Sequence, residues 1–285
     1  MSLLARKSKM SLAEVDLAYT AAQKVVEVHR HLSAFLRVGM TLAQVDAEAA
    51  RFMGTIGVTS CFFRYSPKGH TPKLPPFPSH TCLSLNECVV HGHVGYPAND
   101  TKLKPGDLFK IDVGVFYKGW VGDAAWTYSL GEPTAHNRRL MECGKQALAR
   151  GIPTLRPGAM WIDWAREVQT CVETEYGLKC VRGLGGHGIG LKNLHGPPFV
   201  SNVVPGFDQE WREAYHRIQP GTLVAVEPMV AVGTGTHVDG GKHFPWPQIS
   251  GDRSMTVHYE ADVLVTENGP RDLTEGMTGL PDVVG

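Results

Sequence analysis

The sequence carries two copies of one pattern. LKPGDLFKIDVG, beginning at Leu103, returns as IQPGTLVAVEPM, beginning at Ile218. Pro105 falls on Pro220, Gly106 on Gly221 and Asp112 on Glu227. Farther on, GDAAWTYSLGEP aligns with YEADVLVTENGP, which sets Asp123 on Glu260. An upstream pair, LRVGMT at residue 36 and LRPGAM at residue 155, leads each time into a helical stretch. Two long copies imply two similar halves rather than a short-period solenoid. The halves fall at roughly 36–151 and 155–274 within a single domain, residues 1–285. Each mixes helices with strands, so the expected class is α+β. Two such halves facing each other bring Asp112, Asp123, Glu227 and Glu260 near a pseudo-twofold axis.

Local signals fill in the elements. Ser11-Leu-Ala-Glu14 and Thr41-Leu-Ala-Gln44 are capping boxes and open two N-terminal helices. In the first, Val15, Ala18, Ala22, Val25 and Leu32 share a face. Further helices are expected near 134–151, 160–176 and 208–216, and strands near 81–90, 108–116, 121–128, 222–231 and 257–266. Residues 66–80, SPKGHTPKLPPFPSH, are too Pro-rich for either. Their P-x-x-P spacing also fits an SH3-type ligand, but a stiff surface loop is the expectation taken.

The segment FKIDVGVFYKGWVGDAAWTY reads as two apolar strands joined by a Lys118-Gly119 turn. A two-residue turn sets Asp112 opposite Ala125 and Asp123 opposite Gly114. Side chains alternate faces, so both aspartates lie on one face, a diagonal step apart. Two buried carboxylates this close need a proton or a cation between them. GLGGHGIG surrounds His187 with glycines, which would let the backbone approach a ligand closely. Glu227 lies in the apolar run TLVAVEPMV and Glu260 in VHYEADVLV. Asp262 shares the face of Glu260, and only the repeat alignment favours Glu260 over it. Four carboxylates and an imidazole exceed what one octahedral ion needs from protein and suit two divalent ions bridged by carboxylates. Mostly hard oxygen donors favour Mn²⁺, Fe²⁺, Co²⁺ or Zn²⁺, and the histidine argues against a plain Mg²⁺ site.

Composition narrows the partners. The 285 residues carry no net formal charge and no long Lys/Arg run, so nothing points to nucleic acid. No apolar run reaches the roughly 18 residues of a membrane span, and the basic N-terminus is not followed by a secretory core. Six cysteines are scattered without a C-x-x-C pair, which suggests reduced thiols and a cytoplasmic location. A monomer is the expectation.

At these positions the sequence resembles the type I methionine aminopeptidases. I-D-V, G-D, G-H-G-I-G, E-P-M and a final Glu before V-x-x-T-x-N-G occur in the family's order, from about residue 11 to 274. The resemblance implies the pita-bread fold: two pseudo-symmetric halves around a curved antiparallel sheet. It implies that Asp112 chelates one metal, that His187 and Glu227 bind the other, and that Asp123 and Glu260 bridge both. A metal-bridging hydroxide would attack the carbonyl after an N-terminal methionine, with Glu227 relaying the proton. Two-metal hydrolysis is already known for aminopeptidases as a class. His91 and His195 match substrate-contacting histidines, and His195 would steady the tetrahedral intermediate. Cys82, Trp246, Tyr65, Phe62 and Cys61 match the apolar pocket for the methionine side chain. The substrate would be a nascent polypeptide or peptide with a small second residue, which makes the ribosome a candidate partner.

Three departures bear on pocket shape. The 66–80 segment lengthens the loop before the pocket wall, and the stretch from His91 to Asp112 is longer than usual. An extra residue separates His187 from His195, with Leu194 where the family usually has an aromatic. The Xaa-Pro aminopeptidases and prolidases share the fold but typically carry a further N-terminal domain, for which this chain is expected to have no room. An inert pita-bread binding protein is the remaining alternative, and such proteins usually lose ligands that are all present here.

Overall fold

The computed structural model describes residues 10–67, 74–207 and 210–285. Helix α1 (Leu12–Phe35) starts at the Ser11–Glu14 capping box and α2 (Leu42–Thr55) at the Thr41–Gln44 box, each closed reciprocally as expected. On α1, Ala18, Ala22, Val25 and Leu32 are buried, and Val15 lies at the margin of the face. Helix α3 (Ala135–Gly151) is capped by the Thr134 hydroxyl. Helix α4 (Trp161–Gln169) runs on into a π-helical stretch, Thr170–Glu175, so the expected 160–176 helix is real but changes its winding.

Among the described residues the strands form two five-stranded sheets and two of three strands. The first large sheet runs β1 (Thr59–Ser60), β4 (Leu108–Tyr117), β5 (Trp120–Leu130) and β16 (Val283–Val284), with β2 (Cys82–Leu85) also pairing with β4. The second runs β15 (Gly269–Asp272), β14 (Ala261–Thr266), β9 (Leu223–Val226), β7 (Gly185–Gly190) and β8 (Asn193–Ser201). One small sheet is β13 (Thr256–His258), β10 (Met229–Ala231) and β6 (Lys179–Cys180). The other is β11 (His237–Asp239), β12 (Gln248–Ser250) and β3 (Cys88–Val90). The main apolar core takes Val25 and Leu32 from α1, Ile111 and Val113 from β4, and Val263 and Val265 from β14. It therefore draws on both copies of the repeat.

Three expected strands are interrupted, and two of the interruptions matter. Pro228 has no N–H for a ladder and separates β9 from β10, leaving Glu227 in the gap. Tyr259 and Glu260 likewise separate β13 from β14. Both carboxylates of the second copy thus sit at breaks in their strands, where backbone can turn toward the middle of the molecule. The third break, at Asn86-Glu87, is a turn between β2 and β3.

Two expectations fail. No helix forms over the described residues 210–216. The segment makes consecutive turns, Ala214 N–H bonding Trp211 O and His216 N–H bonding Glu213 O. Trp211, buried, spends its indole N–H on the carbonyl of Phe199 3.1 Å away, so tertiary anchoring replaces the helical ladder. The 66–80 segment is also not simply a surface loop. Residues 68–73 lie outside the described region, but Phe77 and Ser79 are buried while Pro75, Pro76 and Pro78 face outward. The Asp46 carboxylate on α2 accepts from the His80 and Thr81 amides at 2.9 and 2.8 Å, pinning the end of the segment inward. No helix among the described residues is long and apolar enough to cross a membrane.

Candidate metal centre

The β4–β5 hairpin has the register that its two-residue turn demands. Asp112 pairs with Ala125 and Asp123 with Gly114, so both aspartates face the same side. Lys118 and Gly119 take the positive φ values, 48° and 86°, that such a turn requires. The second copy meets this face edge-on: the Glu260 amide donates to the Ala125 carbonyl at 2.9 Å. Asp262 is drawn the same way, its Oδ2 accepting from the Asp123 amide at 2.9 Å. That contact separates the two acidic residues of VHYEADVLV. Asp262 braces the backbone of Asp123, while Glu260 reaches the cluster itself.

His187 stands on β7, and its Nε2 lies 3.9 Å from Asp123 Oδ2 and 3.7 Å from Glu227 Oε1. The glycines around it have a different use from the one expected. A Cβ on Gly186 would lie 2.3 Å from the Ala225 carbonyl oxygen, and one on Gly188 2.2 Å from that of Pro197. They admit neighbouring strands rather than a ligand, because β7 is clamped between β8 and β9.

Among the described residues, two sets of side chains could hold an ion: Asp123, His187 and Glu260, and Glu227, His258 and Glu260, the donor atoms of each set lying within 4.8 Å of one another. Glu260 belongs to both. Burial pushes the Asp112 carboxyl up to about 7 and drives Asp123, Glu227 and Glu260 well above the usual carboxylate range. For Asp123 and Glu260 the neighbouring carboxylates push the same way. Asp112 Oδ1, Asp123 Oδ1 and His187 Nδ1 are buried without a hydrogen-bond partner. Like charges about 4 Å apart repel by about 4 kcal/mol at an effective dielectric of 20. A divalent cation relieves that repulsion and satisfies the orphaned carboxylate oxygens, so these residues fit a metal centre.

The cluster forms the floor of a cavity of about 480 Å³. All but one of the residues expected at the site line it: Asp112, Asp123, His187, Glu227, Glu260, His91, His195, Cys82, Trp246, Tyr65 and Phe62. Cys61 does not; it is buried behind that wall, its Sγ 2.4 Å from where a Cβ on Gly114 would sit. Desolvation within the cavity lowers the pKa of both imidazoles, of His91 to about 3 and of His195 to about 4, although by surface area His91 is only half-buried and His195 is exposed, so the His195 shift is the weaker of the two. His91 adopts φ 59°, an uncommon conformation for a residue with a side chain. The Tyr65 hydroxyl lies 2.8 Å from His195 Nδ1.

Sequence reasoning missed two contributors. Phe77 packs edge-on against Trp246 with ring centroids 5.3 Å apart, and the Trp246 indole N–H donates to Pro75 O at 2.9 Å. The Pro-rich segment is therefore part of the pocket wall; an aromatic among its prolines was the available signal. His258 was the other. It stands two residues before Glu260, and in an alternating strand that spacing puts two side chains on one face.

A buried carboxylate–imidazole cluster at the floor of an apolar cavity, in a two-sheet α+β fold, defines a metal-dependent hydrolase. Residues 16–267 match the model for metallopeptidase family M24. A methionine aminopeptidase of Aquifex aeolicus is 31% identical over 265 residues, 93% of this chain and 97% of its own length. The methionine aminopeptidase structure from Rickettsia prowazekii superposes with a TM-score of 0.82 at 25% identity, covering 94% of this chain and 99% of that one. A Xaa-Pro dipeptidase from Bacillus anthracis shares the fold less closely, with a TM-score of 0.67 at 22% identity over 62% of its length. The chain belongs to metallopeptidase family M24 and, within it, to the methionine aminopeptidases, with their pita-bread fold.

Proposed function

We infer that the protein removes the N-terminal methionine from peptides and nascent chains whose second residue is small. The observation that carries this reading is the juxtaposition of the carboxylate–imidazole floor with an apolar wall of Phe62, Phe77, Cys82 and Trp246. An unbranched thioether side chain suits such a wall, since its sulfur packs well against aromatic edges. Asp112, Asp123, His187, Glu227 and Glu260 would hold two divalent ions from among Mn²⁺, Fe²⁺, Co²⁺ and Zn²⁺. When bound, these activate water and polarise the scissile carbonyl.

The protein's own residues do the rest. Glu227 faces the cavity and is the base for the attacking water, returning the proton to the departing amine. In the tautomer whose Nδ1 accepts from the Tyr65 hydroxyl, His195 carries its proton on Nε2. That N–H is the donor for the carbonyl oxygen as negative charge develops there. His91 is held beside Trp246, ring centroids 6.3 Å apart, where it contacts the substrate backbone near the methionine pocket.

The test is methionine release from Met-Ala and Met-Gly peptides, beside Xaa-Pro substrates, after loading the metal-free protein with each of the four ions. Release from the methionyl peptides is expected with at least one ion. Its absence with all four would overturn the reading, and cleavage confined to Xaa-Pro substrates would move the protein to the other branch of the family.

A further inference from the structure

His258 is an imidazole at the centre for which the five-residue ligand set has no use. It ends β13 and is 2% exposed. Its Nε2 lies 3.1 Å from Glu227 Oε2 and 3.8 Å from Glu260 Oε2. The backbone behind it is fixed from both sides: the His258 amide donates to Thr127 Oγ1 at 3.0 Å, and the same hydroxyl donates to the His258 carbonyl at 2.8 Å. Earlier in the strand, the buried Lys110 ammonium holds the Thr256 carbonyl at 3.3 Å and its hydroxyl at 3.2 Å. The ring is therefore presented to the two glutamates by a rigid support, as a ligand must be.

Two chemistries fit a ring nitrogen 3.1 Å from a carboxylate oxygen. One is a hydrogen bond that orients Glu227. The other is shared coordination. Donors about 2.1 Å from one ion stand roughly 3.0 to 3.4 Å apart when adjacent in octahedral or tetrahedral geometry. The Glu227 contact lies in that range, and Glu260 is near enough to complete the set. The Glu227 carboxylate also has an imidazole beside each oxygen, His187 near Oε1 and His258 near Oε2. A hydrogen bond accounts for one of these contacts; coordination accounts for the convergence of all three side chains.

We propose that His258 is a sixth protein ligand of the metal centre, binding the ion that Glu227 holds. The assignment rests on the metal-centre reading above. It has a consequence for metal choice. A second imidazole moves the donor set away from all-oxygen chemistry, which favours Co²⁺ and Zn²⁺ over Mn²⁺.

The discriminating variant is His258→Gln. Its amide can donate the same hydrogen bond to Glu227 but is a poor metal ligand. Calorimetric titration of the metal-free protein should show Co²⁺ and Zn²⁺ affinity reduced about tenfold or more in the variant, with Mn²⁺ affected less. Proton NMR of the Co²⁺-loaded wild type should show two solvent-exchangeable, paramagnetically shifted imidazole N–H resonances, one each from His187 and His258. That count is read on the unaltered protein and stands whether or not the variant folds. A single such resonance in the wild type, or equal affinities in a folded variant, overturns the assignment of His258 and leaves the metal centre standing. Wild type that binds none of the three ions overturns both.

Discussion

Asp112 shows how far chemistry at one residue can be separated from folding. It is half-buried on β4, but its Oδ1 is buried and unpartnered, and desolvation pushes its carboxyl up to about 7. In the metal-free protein its charge is thus a cost, and amide replacement removes that cost while keeping the shape. Asp112→Asn should lower kcat/KM by about 100-fold or more while the metal-free protein keeps its circular dichroism and melting temperature. Retained activity would take Asp112 out of the ligand set. The acidic residues were legible in the sequence because a carboxylate in an apolar strand requires a partner. His258 was not, because an imidazole in VHYEADVLV is equally at home as a strand residue. Only its approach to Glu227, at the break between β9 and β10, marks it as part of the site. Phe77 was hidden for the opposite reason. Its neighbours Pro75, Pro76 and Pro78 do face outward, and the one local signal, an aromatic among prolines, does not say which way the ring turns.

At the scale of elements, the β4–β5 hairpin sets the geometry. Its turn length alone predicts the pairing of Asp123 with Gly114, and the pairing is found. Gly114 shares the face of Asp112, and the space a side chain would need is filled. A Cβ there would lie 2.4 Å from Cys61 Sγ and 2.5 Å from the Phe62 ring. Gly114→Ala should therefore push the Phe62 wall into the pocket. Overpacking of this kind costs about 1–3 kcal/mol, readable as a lower urea midpoint, and KM for Met-Ala peptides should rise more than kcat falls. An unchanged midpoint with unchanged KM would show that the wall yields freely. The hairpin could be read from sequence because its apolar alternation and its turn agree. β7 and β8 could not, since GLGGHGIG and NLHGPPFVS have no alternation to read, and register shifts interrupt their pairing. The segment 210–216 misled for a related reason: its helix-compatible residues form consecutive turns, with Trp211 anchored to Phe199 instead of a helical ladder.

Across the whole molecule the candidate metal centre lies where the two copies of the repeat meet. Asp112 and Asp123 come from the first, His187, Glu227 and Glu260 from the second. Hydrogen bonds join them there, among them the Glu260 amide to Ala125 O, the Asp123 amide to Asp262, the mutual bonding of Thr127 with His258, and Lys110 to Thr256. The apolar core nevertheless runs through both. We propose that residues 36–151 and 155–274 are halves of one catalytic domain rather than two units that fold separately. Ions held by ligands from both halves then stabilise the whole. A ligand that binds only the folded state at 100 times its Kd adds about 2.7 kcal/mol. For a chain of this size each kcal/mol raises Tm by about 2–4 °C. Scanning calorimetry should show one transition without metal and one with it, the second about 5–10 °C higher, with chelation restoring the first. Asp112→Asn should shrink the shift without dividing the peak. Two transitions in the metal-free protein would mean that the halves fold independently, and an unchanged Tm at saturating metal would mean that the ligands do not join them.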